Sequence, residues 1–266
     1  MENEKRIAEL EQRIEALEQR SRIRAKEFVV EDADGNPRIA LSTIDGEPVI
    51  SLANADSEPR AWLRMFDGEP RVNLFDAHGN SRIGLGITAD GEPGLILSDA
   101  HGNSRIELVT KAEGGPALLM SDADSNRRIG LGIAEGELTL ELIDAHGAPR
   151  AWLATADGEL MLNLSDVHGN PRIGLAIIDG EPGLLMLDAH GNPHAKLGTV
   201  DGRPWLSLFD AHGNPHIGLG STVDGEPGLV VFDAHGNPRV KLGTTVDGEP
   251  GLGFLDAVGT VIWSAP

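Results

Sequence analysis

The 266-residue chain contains no cysteine and no tyrosine, and aromatic residues make up only 4 % of it. Without cysteine there is no disulfide framework, no thiolate metal site and no cysteine nucleophile. Basic residues are also scarce. Lys plus Arg number 22 against 42 Asp plus Glu, a formal net charge of −20. Such a chain repels phosphate backbones and anionic lipid, so neither nucleic acid nor membrane insertion is expected. No apolar run approaches the roughly 18 residues of a membrane span, and the charged N-terminus carries no signal-peptide core. The expected address is therefore the cytoplasm or a released fibre or particle.

What the chain has instead is glycine, 34 residues of it, and a repeat. The phrase D-A-H-G-N-P/S-R, or a near copy, begins at Asp76, Asp99, Asp144, Asp166, Asp188, Asp210 and Asp233. Degenerate copies begin at Asp32, Asn54, Asp122 and Asp256. Successive starts lie 22 or 23 residues apart, a period that signals a stacked repeat architecture. A second mark, D-G-E-P or a variant, precedes each new start by 9 residues, as at Asp45-Gly46, Asp67-Gly68 and Asp179-Gly180.

Between the marks apolar residues alternate with others, the period of a half-buried strand. The ninth position after each start is always Leu, from Leu41 and Leu63 to Leu219 and Leu242. Each repeat thus holds two short strands sharing an apolar face. Turn chemistry favours hairpins over a parallel coil. A two-residue type I′ loop at Asp45-Gly46 pairs Leu41 with Ile50 and Ile39 with Leu52, apolar opposite apolar. In the 23-residue repeats a three-residue loop such as Ala89-Asp90-Gly91 restores that phase, pairing Leu85 with Leu95. At the other turn a four-residue loop, Ala77-His78-Gly79-Asn80, sets Ile83 against Leu74 and Leu85 against Val72. The fold class expected is all-β, a repetitive antiparallel meander. Its one-sided sheet must close on itself or meet other sheets.

Residues 1–27 differ. Ile7, Leu10, Ile14 and Leu17 are spaced by alternating steps of 3 and 4, a coiled-coil seam with charged flanks. Ile at a with Leu at d leans towards a dimer. Against this, Arg6-Ile7-Ala8-Glu9-Leu10-Glu11 and Arg13-Ile14-Glu15-Ala16-Leu17-Glu18 each resemble the R-h-x-x-h-E motif of short trimeric coiled coils, which tips the reading to a trimer. Three parts follow: an oligomerisation helix in 1–27, a shaft of about ten repeats in 28–255, and a C-terminal cap in 256–266. A coiled coil feeding three such sheets, apolar faces inward, resembles the β-prism shafts of phage tail fibres and related trimeric bacterial fibres. The chain is also similar to bacterial proteins that combine a short coiled coil, D-x-x-G-x-x-R repeats and a terminal G-x-V-I-W-x-A-P, here residues 259–266. The resemblance implies a trimeric β-prism-like rod and no particular activity.

Residues able to carry chemistry belong mostly to the repeat. The turn histidines form a row spaced ~10 Å apart, too far to share a metal within one chain. His190/His194 beside Asp188, and His212/His216 beside Asp210, are the weak candidates for metal ligands. Asp32-Ala33-Asp34-Gly35-Asn36 resembles the start of a calcium loop without its closing Glu. The Asp and Arg of each D-x-x-G-x-x-R are expected to form a turn cap and a surface ion pair. The second face of the strands carries Gly84/Gly86, Gly130/Gly132 and Gly218/Gly220 but also Trp62 and Trp152, and reads either as a bare exterior or as a contact face. No catalytic constellation and no cofactor motif stands out, so an enzyme is not expected. The expected function is a structural fibre or spacer, a homotrimer with a surface or protein partner at the shaft ends. The alternative is a binding or adhesion module that uses the turn edges or the Gly/Trp face for a surface, glycan or metal.

Overall fold

The computed structural model describes residues 2–18, 25–88, 90–111, 115–222 and 224–265. Ala89 of the expected three-residue loop and residues 19–24 of the N-terminal segment lie outside these, as does the side chain of Leu17. Among the described residues the chain forms one helix, Glu2–Glu18, and 22 antiparallel strands. They fall into two units, residues 1–91 and 92–266.

In the first unit the strands run from Phe28–Glu31 to Ser81–Ile87 and each pairs with its neighbours in sequence. The observed register sets Leu41 against Ile50 and Ile39 against Leu52. The turn between them is of type I′, with Asp45 at φ 54° and Gly46 at φ 86°. Both central residues of that turn need positive φ, which Asp tolerates and Gly favours. At the opposite edge Leu74 faces Ile83 and Val72 faces Leu85, as the alternation requires. The loop itself is shorter than expected. Asp76 N–H donates to the Asn80 carbonyl at 3.0 Å, leaving three residues in the loop, and Arg82 sits in a bulge where the register shifts. One residue has moved from loop to strand, so the pairing downstream is unchanged.

The second unit repeats this pattern from Pro93–Ser98 to Val261–Ala265. In its 23-residue repeats Leu219 faces Leu229 and Leu242 faces Leu252. The longer loop is closed by Thr222 N–H on the Glu226 carbonyl at 2.8 Å, with Gly225 at φ 89°. Within each unit the meander stays open, pairing only consecutive strands. No helix of the described residues is long and apolar enough to cross a membrane.

Little is buried. Val49, Ala154, Leu255 and Ser207 are the described residues with well-covered side chains. All four belong to the Gly/Trp face, while the leucine face stands open: Leu41, Leu85, Leu175 and Leu219 are each about half exposed. The chain leaves 18145 Å² accessible. A globular monomer of 28.2 kDa leaves about 11,000 Å² by the usual scaling of surface with mass.

Candidate functional site

The two turn edges hold most of the polar groups. In each D-x-x-G-x-x-R turn the leading Asp accepts two backbone N–H groups through one carboxylate oxygen. Asp76 Oδ1 takes His78 N at 2.9 Å and Asn80 N at 3.0 Å. Its second oxygen takes Asn80 Nδ2 at 3.2 Å and faces Arg82 at 3.4 Å. This is an Asx turn, which explains the Asp and Gly of the motif. The bulge at the sixth position explains the Arg, because it turns that side chain back onto the Asp. Arg239 donates to Asp233 through both Nε, at 2.9 Å, and Nη2, at 2.6 Å.

Some of these arginines also reach forward. Arg60 donates to the carbonyls of Asp76 and Ala77, Arg105 to that of Ala123 at 2.9 Å, and Arg172 to that of Asp188. Each thereby ties one turn to the next. The opposite edge has the same device in mirror chemistry. The Glu of D-G-E-P accepts backbone N–H groups of the following Asp-Gly turn: Glu47 from Gly68 at 2.8 Å, Glu159 from Asp179 and Gly180 at 3.0 and 2.8 Å, Glu181 from Gly202 at 2.7 Å. Reading the motif alone missed these ties, although the recurrence of its Glu was the available signal.

The turn carboxyls are held below their ordinary value of 3.8. Backbone N–H donation from Asn192 and Asn214 takes Asp188 and Asp210 to about 2. At Asp76 partial desolvation opposes the shift, yet donation from Asn80 and His78 outweighs it and the result is again about 2. A depressed folded pKa means stability that is complete above the unfolded value near 4 and is lost as pH falls towards 2. We expect the melting temperature to be flat above pH 5 and to drop between pH 4 and 2. Asn54 performs the same turn uncharged, its Oδ1 accepting from Asp56 at 3.0 Å and Glu58 at 2.9 Å. A chain with Asp188→Asn and Asp210→Asn should therefore lose part of that acid sensitivity, and an unchanged acid profile would refute the assignment.

The histidines contribute their backbone N–H, not their rings. His190 and His212 have side chains 84 % exposed, with Nδ1 3.7 and 3.9 Å from Asp188 and Asp210, beyond hydrogen-bonding distance. His194 and His216 occupy the bulge position of Arg and are exposed. The structure thus brings each Asp near one His. Among the described residues no three His, Cys, Asp or Glu side chains gather into a group able to hold a metal. On the helix, Ile7, Leu10 and Ile14 are 51–56 % exposed, and among the described residues the helix packs on no strand.

Some glycines of the second face have a reason within the sheet. A Cβ on Gly198 would lie 2.7 Å from the Pro182 carbonyl oxygen, and one on Gly243 2.5 Å from that of Pro227. Trp205 lies flat across Gly218 and Gly220, where any side chain would displace it. Close approach of a neighbouring backbone is the usual warrant for strand glycine.

No protein-family model and no curated protein matches the chain. Among solved structures it is similar to part of the Tc holotoxin pore of Photorhabdus luminescens, at 7 % identity and a TM-score of 0.19. That match covers 90 % of this chain and 17 % of the toxin chain.

Proposed function

We propose that this chain is a structural fibre or spacer that assembles as a homotrimer, its N-terminal helices forming a coiled coil and its leucine faces turned inward. The observation that supports this reading is the uncovered apolar surface. A row of half-exposed leucines runs along each unit, and the helix presents Ile7, Leu10 and Ile14 to solvent. A 17-residue helix draws most of its stability from packing its apolar face, and contiguous apolar sheet faces are rarely left bare. Three copies provide cover for both. Spacing two attached bodies requires no pocket chemistry, which fits a chain whose polar groups serve its own turns.

Solution mass by light scattering tests the proposal, on the full chain and on residues 28–266. The expected mass is three times 28.2 kDa for the full chain, with aggregation or dissociation after truncation. A monomer in both cases overturns it, and twice the chain mass replaces the trimer by a dimer.

A further inference from the structure

One pair of residues breaks the repeat in a way the fold does not need. The tenth position after each start, and the position facing it across the hairpin, are Gly, Ala, Ser, Thr, Val, Met or Trp in the other repeats. In the repeat that begins at Asn54 they are Arg64 and Arg71. These two lie directly opposite each other on the paired strands Pro59–Phe66 and Glu69–Phe75. Like charges in cross-strand register are unfavourable. Arginines of the strands elsewhere, from Arg38 to Arg239, have a carboxylate within 4 Å. Arg64 and Arg71 have none among the described residues, in a chain that carries an excess of acid.

Their surroundings hold them in place without neutralising them. The Arg64 guanidinium lies 5.5 Å from the Trp62 ring and 5.1 Å from the Phe66 ring, and that of Arg71 lies 4.7 Å from Phe66. Arg64 Nε donates to the Met65 carbonyl at 3.3 Å. Such contacts orient a cation and leave its terminal N–H groups for a ligand. The acids nearest in register on this face are Glu47, whose Oε1 accepts from Gly68 N–H, and Glu69, two residues before Arg71. Next to Arg71 the strand Ser81–Ile87 carries Gly84 and Gly86, over which the side chains of Asn73 and Arg71 lie. Gly86 in fact makes room for Arg71, whose Cγ would stand 2.8 Å from a Cβ there. Asn73, facing Trp62, donates to Ser81 Oγ at 3.0 Å and keeps its amide oxygen for another donor.

We propose that Trp62, Arg64, Arg71 and Asn73 form a binding site for an acidic saccharide. The two guanidiniums would take the sugar carboxylate and Asn73 a hydroxyl. Two planar forks on directly opposed residues suit a carboxylate better than any arrangement of lysines. An extended polyanion would be repelled by the charge of the whole chain, so the site suits a short sugar with few carboxylates. It lies on the face opposite the leucines and stays open whether the chain is a monomer or a trimer, so its test is separate from that of the assembly.

The experiment is calorimetric and fluorescence titration of the full chain with trigalacturonate, with maltotriose and sodium sulfate as comparisons. Trigalacturonate should bind and perturb tryptophan emission, and maltotriose should not. Arg64→Ala or Arg71→Ala should weaken binding at least about tenfold, the scale of one lost charge-assisted fork, and Asn73→Ala by a smaller factor. Removing either Arg relieves like-charge repulsion, so the melting temperature should hold or rise. Should an alanine variant fail to fold, Arg71→Lys keeps the charge, loses the fork and should still weaken binding. Equal binding of maltotriose, sulfate binding as tight as the sugar's, or full affinity in the Arg71→Lys and Arg64→Ala chains would each overturn the proposal.

Discussion

Replacing Leu175 and Leu197 together by Asp should abolish assembly while leaving the strands themselves intact. In the single chain each leucine is about half exposed, and a polar substitution at so open a site changes stability by roughly 0.5 kcal/mol or less. In a trimer with leucine faces inward the same change removes the remaining burial, about 1 kcal/mol per side chain as half of a fully buried leucine. It also places unpaired carboxylates in an apolar seam, at about 2 kcal/mol or more for each. The two situations differ by several kcal/mol per chain. Light scattering and circular dichroism on the doubly substituted protein separate them. Monomers with an unchanged strand spectrum are expected. Persistence of the parent mass and melting temperature would place the interface elsewhere.

The second large effect concerns the other face. Gly220→Ala should destabilise by about 1–3 kcal/mol, the range for forcing extra volume into a packed site. A Cβ there would stand 2.5 Å from the Pro204 carbonyl oxygen and run into the Trp205 ring, and neither is free to move far. Gly183→Ala is the matched control. It is also a strand glycine of the same face, but nothing lies within 4 Å of its would-be Cβ. There the substitution only narrows the unfolded ensemble and should gain a few tenths of a kcal/mol. Urea unfolding of the two variants against the parent chain reads the difference. Equal effects would mean that the close approach of strands at Gly220 carries no energetic weight.

Much of the fold was legible because strand alternation and loop length are tightly linked. Once Asp45-Gly46 is read as a two-residue loop, the pairs Leu41–Ile50 and Ile39–Leu52 follow by counting, and the structure has them. Counting cannot say where an unpaired residue sits. A four-residue loop at residues 77–80 and a three-residue loop with a bulge at Arg82 give the same register beyond the turn, and the structure takes the second. The difference decides where the Arg points. Its partnership with the Asp of its own turn was readable from spacing. Its reach to a carbonyl of the next turn depends on how strands curve past one another, which periodicity does not encode. The glycine face was ambiguous for the same reason: a missing side chain marks close approach but does not name what approaches. At Gly198 and Gly243 it is the neighbouring strand's own backbone. The pair Arg64/Arg71 was visible in the residues but unremarkable until register placed the two side by side.

The ties along both edges have a consequence for how such a chain can change over generations. Several repeats present an Arg or a Glu forward, to turn carbonyls or Asp-Gly amides of the next repeat. Loss of residues 166–187 would bring Ser165 directly before Asp188, and the new joint would have the same kinds of donor and acceptor as the old ones. Duplication of such a stretch is equally seamless. Recombination between copies can thus reset the number of rungs without inventing a contact, as a ladder is lengthened by adding rungs of one pattern. The helix that precedes the repeats is left untouched by that change.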